Sequence, residues 1–397
     1  MQHMTNLEKK LWDFVVKHKL AMLVIISTVF SLVLRFPMRN FISGDMRESL
    51  IPWYDSIKGM GGFKALSTQV GDYNIPYQTL IALMTYLPLT HVHAYKLLST
   101  LFDFALGAAV AGCVYEITKN GMKSAFAYIA TVNLPIVILD SAIWGQCDSI
   151  YTFFLVLTLW LLLRKKATAA FISYGFAFAF KLQAIFFLPF LIFYYVWSRR
   201  ISLWRFFLIP FPLIALSLGG LLQGRSVTDL YTVYFNQTNE ITRLSANYPS
   251  FWNMLFQDGV TSHYAEMKPY CILAVVILLA CIMVWLVRKQ HMDAGTQLLT
   301  AALMMYACVL FLPAMHERYD FPVLLFILAA CFIFPKVIPT ALALLIIDLQ
   351  TYGYFLFQKE PVRLDVLAIP NLLGFVYLTY ITAKQVRASD IENQEKV

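Results

Sequence analysis

Apolar stretches long enough to cross a bilayer recur between Leu20 and Thr382, separated by short polar turns. An α-helix needs about 20 apolar residues to traverse a hydrocarbon core about 30 Å thick. Within that core every backbone polar group must be satisfied by the chain itself, which leaves helices or closed barrels. Runs this long, without alternation, select helix. Composition agrees, with 59% hydrophobic and 14% charged residues, against about 45–50% and about 25% in soluble domains. The expected class is an all-α, polytopic transmembrane helical bundle.

Charge sets the expected topology. Lys9, Lys10, Lys17 and Lys19 place the N-terminus in the cytoplasm. The first span covers about 20–36, so the loop from Pro37 is extracytoplasmic. That span ends in Arg35 and Pro37 without a small-residue cleavage site, which excludes a cleaved signal peptide. The stretch Ile75 to Leu89 decides the rest. Counted as a crossing, it would put Lys119, Lys123, Arg164-Lys165-Lys166, Arg199-Arg200 and Arg288-Lys289 all outside. Read as a helix lying in the outer interface, with Pro76, Pro88, His91 and His93 around it, it returns every basic cluster to the cytoplasm. Further spans then fall at about 94–117, 122–142, 149–164, 167–181, 183–198, 202–222, 268–288, 295–313, 319–335, 337–356 and 365–383. That gives about twelve crossings, with the short pair at 149–164 and 167–181 expected to tilt or thin the bilayer. The chain reads as one integral-membrane domain over 1–397. It has a long extracytoplasmic loop with interfacial helices at 37–93 and a polar, disordered cytoplasmic tail at 384–397. The loops at 37–93, 143–148, near 182, 223–267, 314–318 and 357–364 share the outer side.

Several functions are disfavoured. The net charge of +8 is distributed beside spans, so no nucleic-acid partner is needed to explain it. Cys113, Cys271, Cys281, Cys308 and Cys331 lie in apolar runs, Cys147 sits alone in a polar cluster, and no metal-ligand spacing occurs. Walker A, Gly-x-Gly-x-x-Gly and Asp-x-Asp loops are missing, which argues against a cytoplasmic nucleotide-sugar site. Asn236-Gln237-Thr238 matches the glycosylation acceptor pattern, a frequent chance match.

The informative polar groups cluster at the outer ends of spans. Asp45 follows a glycine just past the first span, where a solvated loop acid or helix cap is the plainer reading. Asp148 opens a span and is also placed as a cap, yet Trp144 and Gln146 beside it offer an aromatic platform and a bidentate amide for a sugar. Lys181 and Gln183 occupy a hairpin tip, where snorkelling competes with function. His316-Glu317-Arg318-Tyr319 is denser than snorkelling requires and suits a phosphate. It is not a His-Glu-x-x-His zinc site, since Asp320 stands at the second histidine position. Asp103, Asp140 and Asp348 are expected to pair internally.

In order along the chain, these pieces are Gly-Asp at 44–45, Asp-Tyr-Asn-Ile-Pro-Tyr at 72–77, Trp-Gly-Gln-Cys-Asp-Ser-Ile-Tyr at 144–151, and Phe-Lys-Leu-Gln at 180–183. Asn-Tyr-Pro-Ser-Phe-Trp at 247–252 and Met-His-Glu-Arg-Tyr at 315–319 complete the set. The chain thereby resembles the GT-C superfamily of integral-membrane glycosyltransferases. It is most similar to bacterial relatives of the eukaryotic GPI mannosyltransferase that adds the second mannose, and more distantly to the dolichyl-phosphate-glucose glucosyltransferases. The resemblance implies a GT-C fold and a multi-pass cell-membrane enzyme with its site extracytoplasmic, and the twelve expected crossings leave both termini cytoplasmic. It also implies inverting transfer of a hexose from a polyprenyl-phosphate monosaccharide to a hydroxyl of a cell-envelope glycan or lipid. It implies Asp45 as general base, Asp72 as a second acid, and His316 and Arg318 on the donor phosphate. Trp144, Gln146 and Asp148 would hold sugar or acceptor, with Glu317 and Tyr319 in the same cluster. Lys181, Gln183, Arg243 and Tyr248 carry over more loosely. Asp45, Asp72 and Asp148 offer a divalent ion a place, but the resemblance favours a reaction without metal or other cofactor.

Two other classes compete. A transporter or flippase for a lipid-linked or anionic substrate would suit many spans with broken helices, but no inverted repeat is visible and the charges gather at one face. A non-catalytic envelope scaffold would make Asp45 and His316 dispensable.

Overall fold

The computed structural model describes residues 5–256, 264–358 and 362–394. Its helices are α1 (Asn6–Arg35), α2 (Ile51–Gly59), α3 (Ile75–Met84), α4 (His91–Thr118), α5 (Gly121–Val132), α6 (Pro135–Ile138), α7 (Asp148–Leu163), α8 (Ala167–Phe180) and α9 (Leu188–Ser198). There follow α10 (Pro210–Leu221), α11 (Asp229–Glu240), α12 (Phe251–Leu255), α13 (Tyr264–Val287), α14 (Ala294–Phe311), α15 (Phe321–Cys331), α16 (Ile338–Phe357) and α17 (Leu364–Gln394). Among the described residues, strand is limited to Ser245–Ala246 paired in parallel with Met315–His316.

Every expected span falls on helix, but length divides them. Among the described residues seven helical segments are long and apolar enough to cross, and the bent pair Gly121–Val132 plus Pro135–Trp144 makes an eighth. α7, α8, Leu182–Ser198 and α15 are shorter, with 10–17 residues each. Among the described residues eight of the twelve expected crossings thus have full length. The short helices share one feature: Asp148 starts α7, Lys181 follows α8, Leu182 opens the next segment, and Arg318 lies just before α15. A polar cleft cuts into the bundle where they stop. α3 has ten residues, about 15 Å, half the distance a crossing requires.

The break in the expected span 122–142 lies at Asn133-Leu134-Pro135. Leu134 is extended (φ −62°, ψ 127°), because the proline ring crowds a preceding helical residue. The two halves bend by 49°. α14 is almost wholly buried and acts as the central post. Large apolar side chains of α1 (Ile25, Ile26, Val33), α10 (Phe211, Leu218) and α13 (Leu273, Val276) are exposed, as a lipid-facing surface requires.

Buried ionic contacts register the helices. Arg35 at the end of α1 pairs with Asp103 of α4 at 2.7 Å and donates to the Val132 carbonyl at 3.1 Å. The other Asp103 oxygen accepts the Ser149 hydroxyl in α7, one residue from the cleft. Asp103 thus pairs internally with a cation and Asp348 lies against the Asp320 carboxyl, but among the described residues Asp140 is buried without a hydrogen-bond partner. The expected disordered tail is also corrected. α17 runs to Gln394 because Asp390 accepts the Gln290 N–H (2.9 Å) and Ser389 accepts the Asp293 N–H (2.8 Å), docking it to the turn before α14. Residues 395–397 of that tail lie outside the described residues.

Removing one partner of a buried ion pair leaves the other uncompensated, at about 3–5 kcal/mol. Arg35→Met is therefore expected to lower the thermal unfolding midpoint in detergent sharply, with Arg35→Met/Asp103→Leu less destabilised than the single variant.

Candidate active site

Two π-helical turns, Met46–Leu50 and Leu139–Trp144, flank the cleft. Such turns are uncommon and concentrate at functional sites. Ser43 joins them, its hydroxyl accepting the Met46 N–H (3.2 Å) and donating to the Trp144 carbonyl (3.3 Å). The second turn ends at Gly145 in the left-handed region (φ +75°), where a Cβ would lie 3.4 Å from Met46. This reversal lets Trp144 Nε1 and Gln146 Nε2 both donate to Asp45 Oδ2, each at 2.8 Å. Asp45 Oδ1 takes neither bond.

Behind Asp45 lies a buried chain of charges. Lys181 pairs with Asp148 Oδ1 and its ammonium lies 5.4 Å from the Tyr151 ring centroid. Arg318 Nη1 donates to Asp148 Oδ2 at 3.0 Å, and its Nη2 lies 3.5 Å from Asp45 Oδ2. The guanidinium also sits 4.6 Å over the Trp144 ring, a favourable cation–π geometry. His316 Nδ1 lies 3.4 Å from Glu317. Burial works to raise the Glu317 carboxyl, but His316 and Arg318 outweigh it and hold it below its usual range.

Asp45, Gln146, Lys181, His316, Glu317 and Arg318 line a cleft of about 210 Å³ together with Asp72, Trp53, Tyr73, Gln183, Gln237, Glu240 and Tyr319. Gly71 (φ +76°) lets the backbone pass the Trp53 ring, which a Cβ there would strike at 2.5 Å. On α11 Gln237 donates to the Asp72 carbonyl. Partial burial and Asp72 push the Glu240 carboxyl up, while His316 opposes them. Through Gln183, Gln237, Ile241 and Tyr319 the cleft continues into a mainly apolar groove, also about 210 Å³, walled by Ile185, Phe186, Tyr264 and Ile272.

Asp45, Asp72, Gln146, Lys181, Gln183, His316, Glu317, Arg318 and Tyr319 thus come together, from segments far apart in sequence. Trp144 and Asp148 stand directly behind them, bonded to the lining residues. Arg243 and Tyr248 do not join them. Arg243 is exposed and Tyr248 fully buried, because their segment serves the site through its backbone, pairing Ser245–Ala246 with Met315–His316. Trp53 and Tyr73, in the long first loop, carried no expected role, and Gln237 and Glu240 were not expected at the site. The signal for the last two was α11, a polar helix amid the apolar ones of the described residues.

A bundle of apolar helices with a recessed cleft of paired acids and bases defines an integral-membrane protein organised around a polar substrate. The model of glycosyltransferase family 87 matches residues 73–313, more than half of the chain. The chain belongs to that family, of the GT-C type, and is a glycosyltransferase. The match reaches the family, not the narrower GPI-mannosyltransferase or dolichyl-phosphate-glucose relatives. No curated protein matches the chain. Asp45 and the 316–319 cluster lie outside the matched segment, and geometry alone joins them to it.

A side chain in the left-handed region costs about 1–2 kcal/mol. Gly145→Ala is expected to lower the unfolding midpoint and to shift tryptophan fluorescence as Trp144 leaves Asp45. An unchanged midpoint and spectrum would contradict this account of the turn.

Proposed function

We propose that the protein transfers a hexose from a polyprenyl-phosphate carrier to an acceptor hydroxyl of a cell-envelope glycan or lipid, inverting the anomeric carbon, at the extracytoplasmic face. The observation that carries this reading is the gathering of Asp45, Arg318 and His316 in one cleft that opens into an apolar groove. The groove suits the isoprenoid, and the cations suit the phosphate.

In this reading the acceptor oxygen attacks the anomeric carbon while Asp45 takes its proton. The carbon–oxygen bond to phosphate breaks on the opposite face, and the departing phosphate keeps the electron pair. Arg318 and His316 stabilise the charge that develops there. The hydrogen bonds from Trp144 and Gln146 hold Asp45 in place without consuming its second oxygen. Asp72 is the second acid of the site, and Trp53 and Tyr73 give the sugar an aromatic wall. Lys181 acts through Asp148, keeping Arg318 oriented. The reaction runs without a metal in this proposal, since Asp148 spends both oxygens on cations the chain supplies.

The orientation rests on charge. Lys123, Arg164–Lys166, Arg199–Arg200 and Arg288–Lys289 occupy the helix ends opposite the cleft, and the positive-inside bias puts those ends in the cytoplasm. Counting the four short helices as crossings surrounded by protein keeps both termini there.

Loss of a general base typically costs about 10²–10⁴-fold in rate. With a radiolabelled polyprenyl-phosphate sugar, Asp45→Asn is expected to lose transfer by that factor at an unchanged unfolding midpoint, while EDTA leaves the wild-type rate intact. Wild-type turnover by the variant would remove Asp45 from the mechanism. Net translocation of the carrier without transfer would favour a transporter.

A further inference from the structure

At the other end of the bundle, α7, α9 and α13 finish and α8 and α14 begin around a second cavity of about 340 Å³, larger than the catalytic cleft. α14 alone has 18 residues, so the two sites are about 27 Å apart along its axis. Lys165 from the α7–α8 turn, Arg200 after α9 and His291 from the α13–α14 turn line this cavity, with Tyr194 and Trp197 forming an aromatic wall. We propose that it is a second binding site, for a phosphate-bearing anion. The proposal stands independently of the chemistry assigned to the cleft.

A basic rim alone would be what the positive-inside bias supplies. Here Lys165, Arg200 and His291 come from three separate turns onto one concave volume, and the acids nearby are already engaged. Asp390 holds Lys289 (3.5 Å) and the Gln290 N–H, Asp293 caps α14 through the Thr296 N–H (2.8 Å), and Glu116 holds Lys119 (2.6 Å) and Arg164 (3.7 Å). Among the described residues the side chains of Lys165, Arg200 and His291 make no ion pair. A guanidinium fork and an ammonium lining one cavity are groups that phosphate oxygens accept well. A glycerophosphate headgroup or a soluble phosphate ester presents such oxygens.

The test uses the full chain in neutral detergent, with phosphatidylglycerol, phosphatidylcholine and inorganic phosphate as probes. Native mass spectrometry reads lipid binding and thermal unfolding reads stabilisation. Phosphatidylglycerol is expected to bind the wild type in preference to phosphatidylcholine, and Lys165→Gln/Arg200→Gln is expected to weaken it at least about tenfold. Lys10→Gln/Lys123→Gln, the same loss of charge away from the cavity, should bind as the wild type does. Lys165→Arg/Arg200→Lys should retain most of the binding. If inorganic phosphate stabilises the wild type but not the Lys165→Gln/Arg200→Gln variant and displaces the lipid, the occupant is a soluble phosphate. If it does neither while the lipid binds, the occupant is a headgroup. Equal binding by wild type and the cavity variant, or equal loss in the control variant, would overturn the proposal.

Discussion

The site depends on the fully buried carboxylate of Asp148. It starts α7, takes Lys181 from the end of α8 on one oxygen and takes Arg318 from the approach to α15 on the other. Taking such charges out of water costs several kcal/mol per ion, which only close pairing offsets. Three helices are thereby obliged to end at one place inside the bundle. Their shortness, the recess of the cleft and the position of Arg318 beside Asp45 are consequences of that one constraint.

The same chain of charges separates two tasks. Asp148 spends both oxygens on cations, so it is a structural counter-ion. Asp45, held by two neutral donors on one oxygen, keeps the other available. Arg318 touches both acids and stacks on Trp144, so the cation proposed to receive the leaving phosphate is fixed before substrate arrives. Preorganisation of this kind lets a dipole or charge stabilise a transition state without reorganising during the reaction. The framework behind it is the Arg35–Asp103–Ser149 network, which ties α1 and α4 to the residue next to Asp148.

The helices were legible because lipid and protein interior both demand apolar side chains. That same fact hid their lengths: hydropathy does not distinguish a segment surrounded by bilayer from one surrounded by other helices. α7, α8 and α15 read as spans although they stop at buried charges. The break at Leu134 was written in Pro135 but drowned in apolar neighbours. The polar clusters at 45, 144–148, 181–183 and 316–319 were legible because charge at the end of an apolar run is costly. Glu240 and Gln237 were not, since they belong to a polar helix whose orientation only packing sets. Arg243 and Tyr248 misled for the opposite reason. Their segment contributes backbone pairing to Met315–His316, and side-chain identity carries no trace of that. The tail at 384–394 looked soluble because its docking uses Ser389 and Asp390, polar residues that bond backbone amides.

The most direct measurement is an experimental structure with a non-hydrolysable polyprenyl-phosphonate sugar analogue bound. The phosphonate is expected within hydrogen-bonding distance of Arg318 and His316, with the isoprenoid along Phe186 and Ile272 and the free oxygen of Asp45 facing the sugar. A phosphonate seated away from Arg318, with the sugar out of reach of Asp45, would contradict the proposed site.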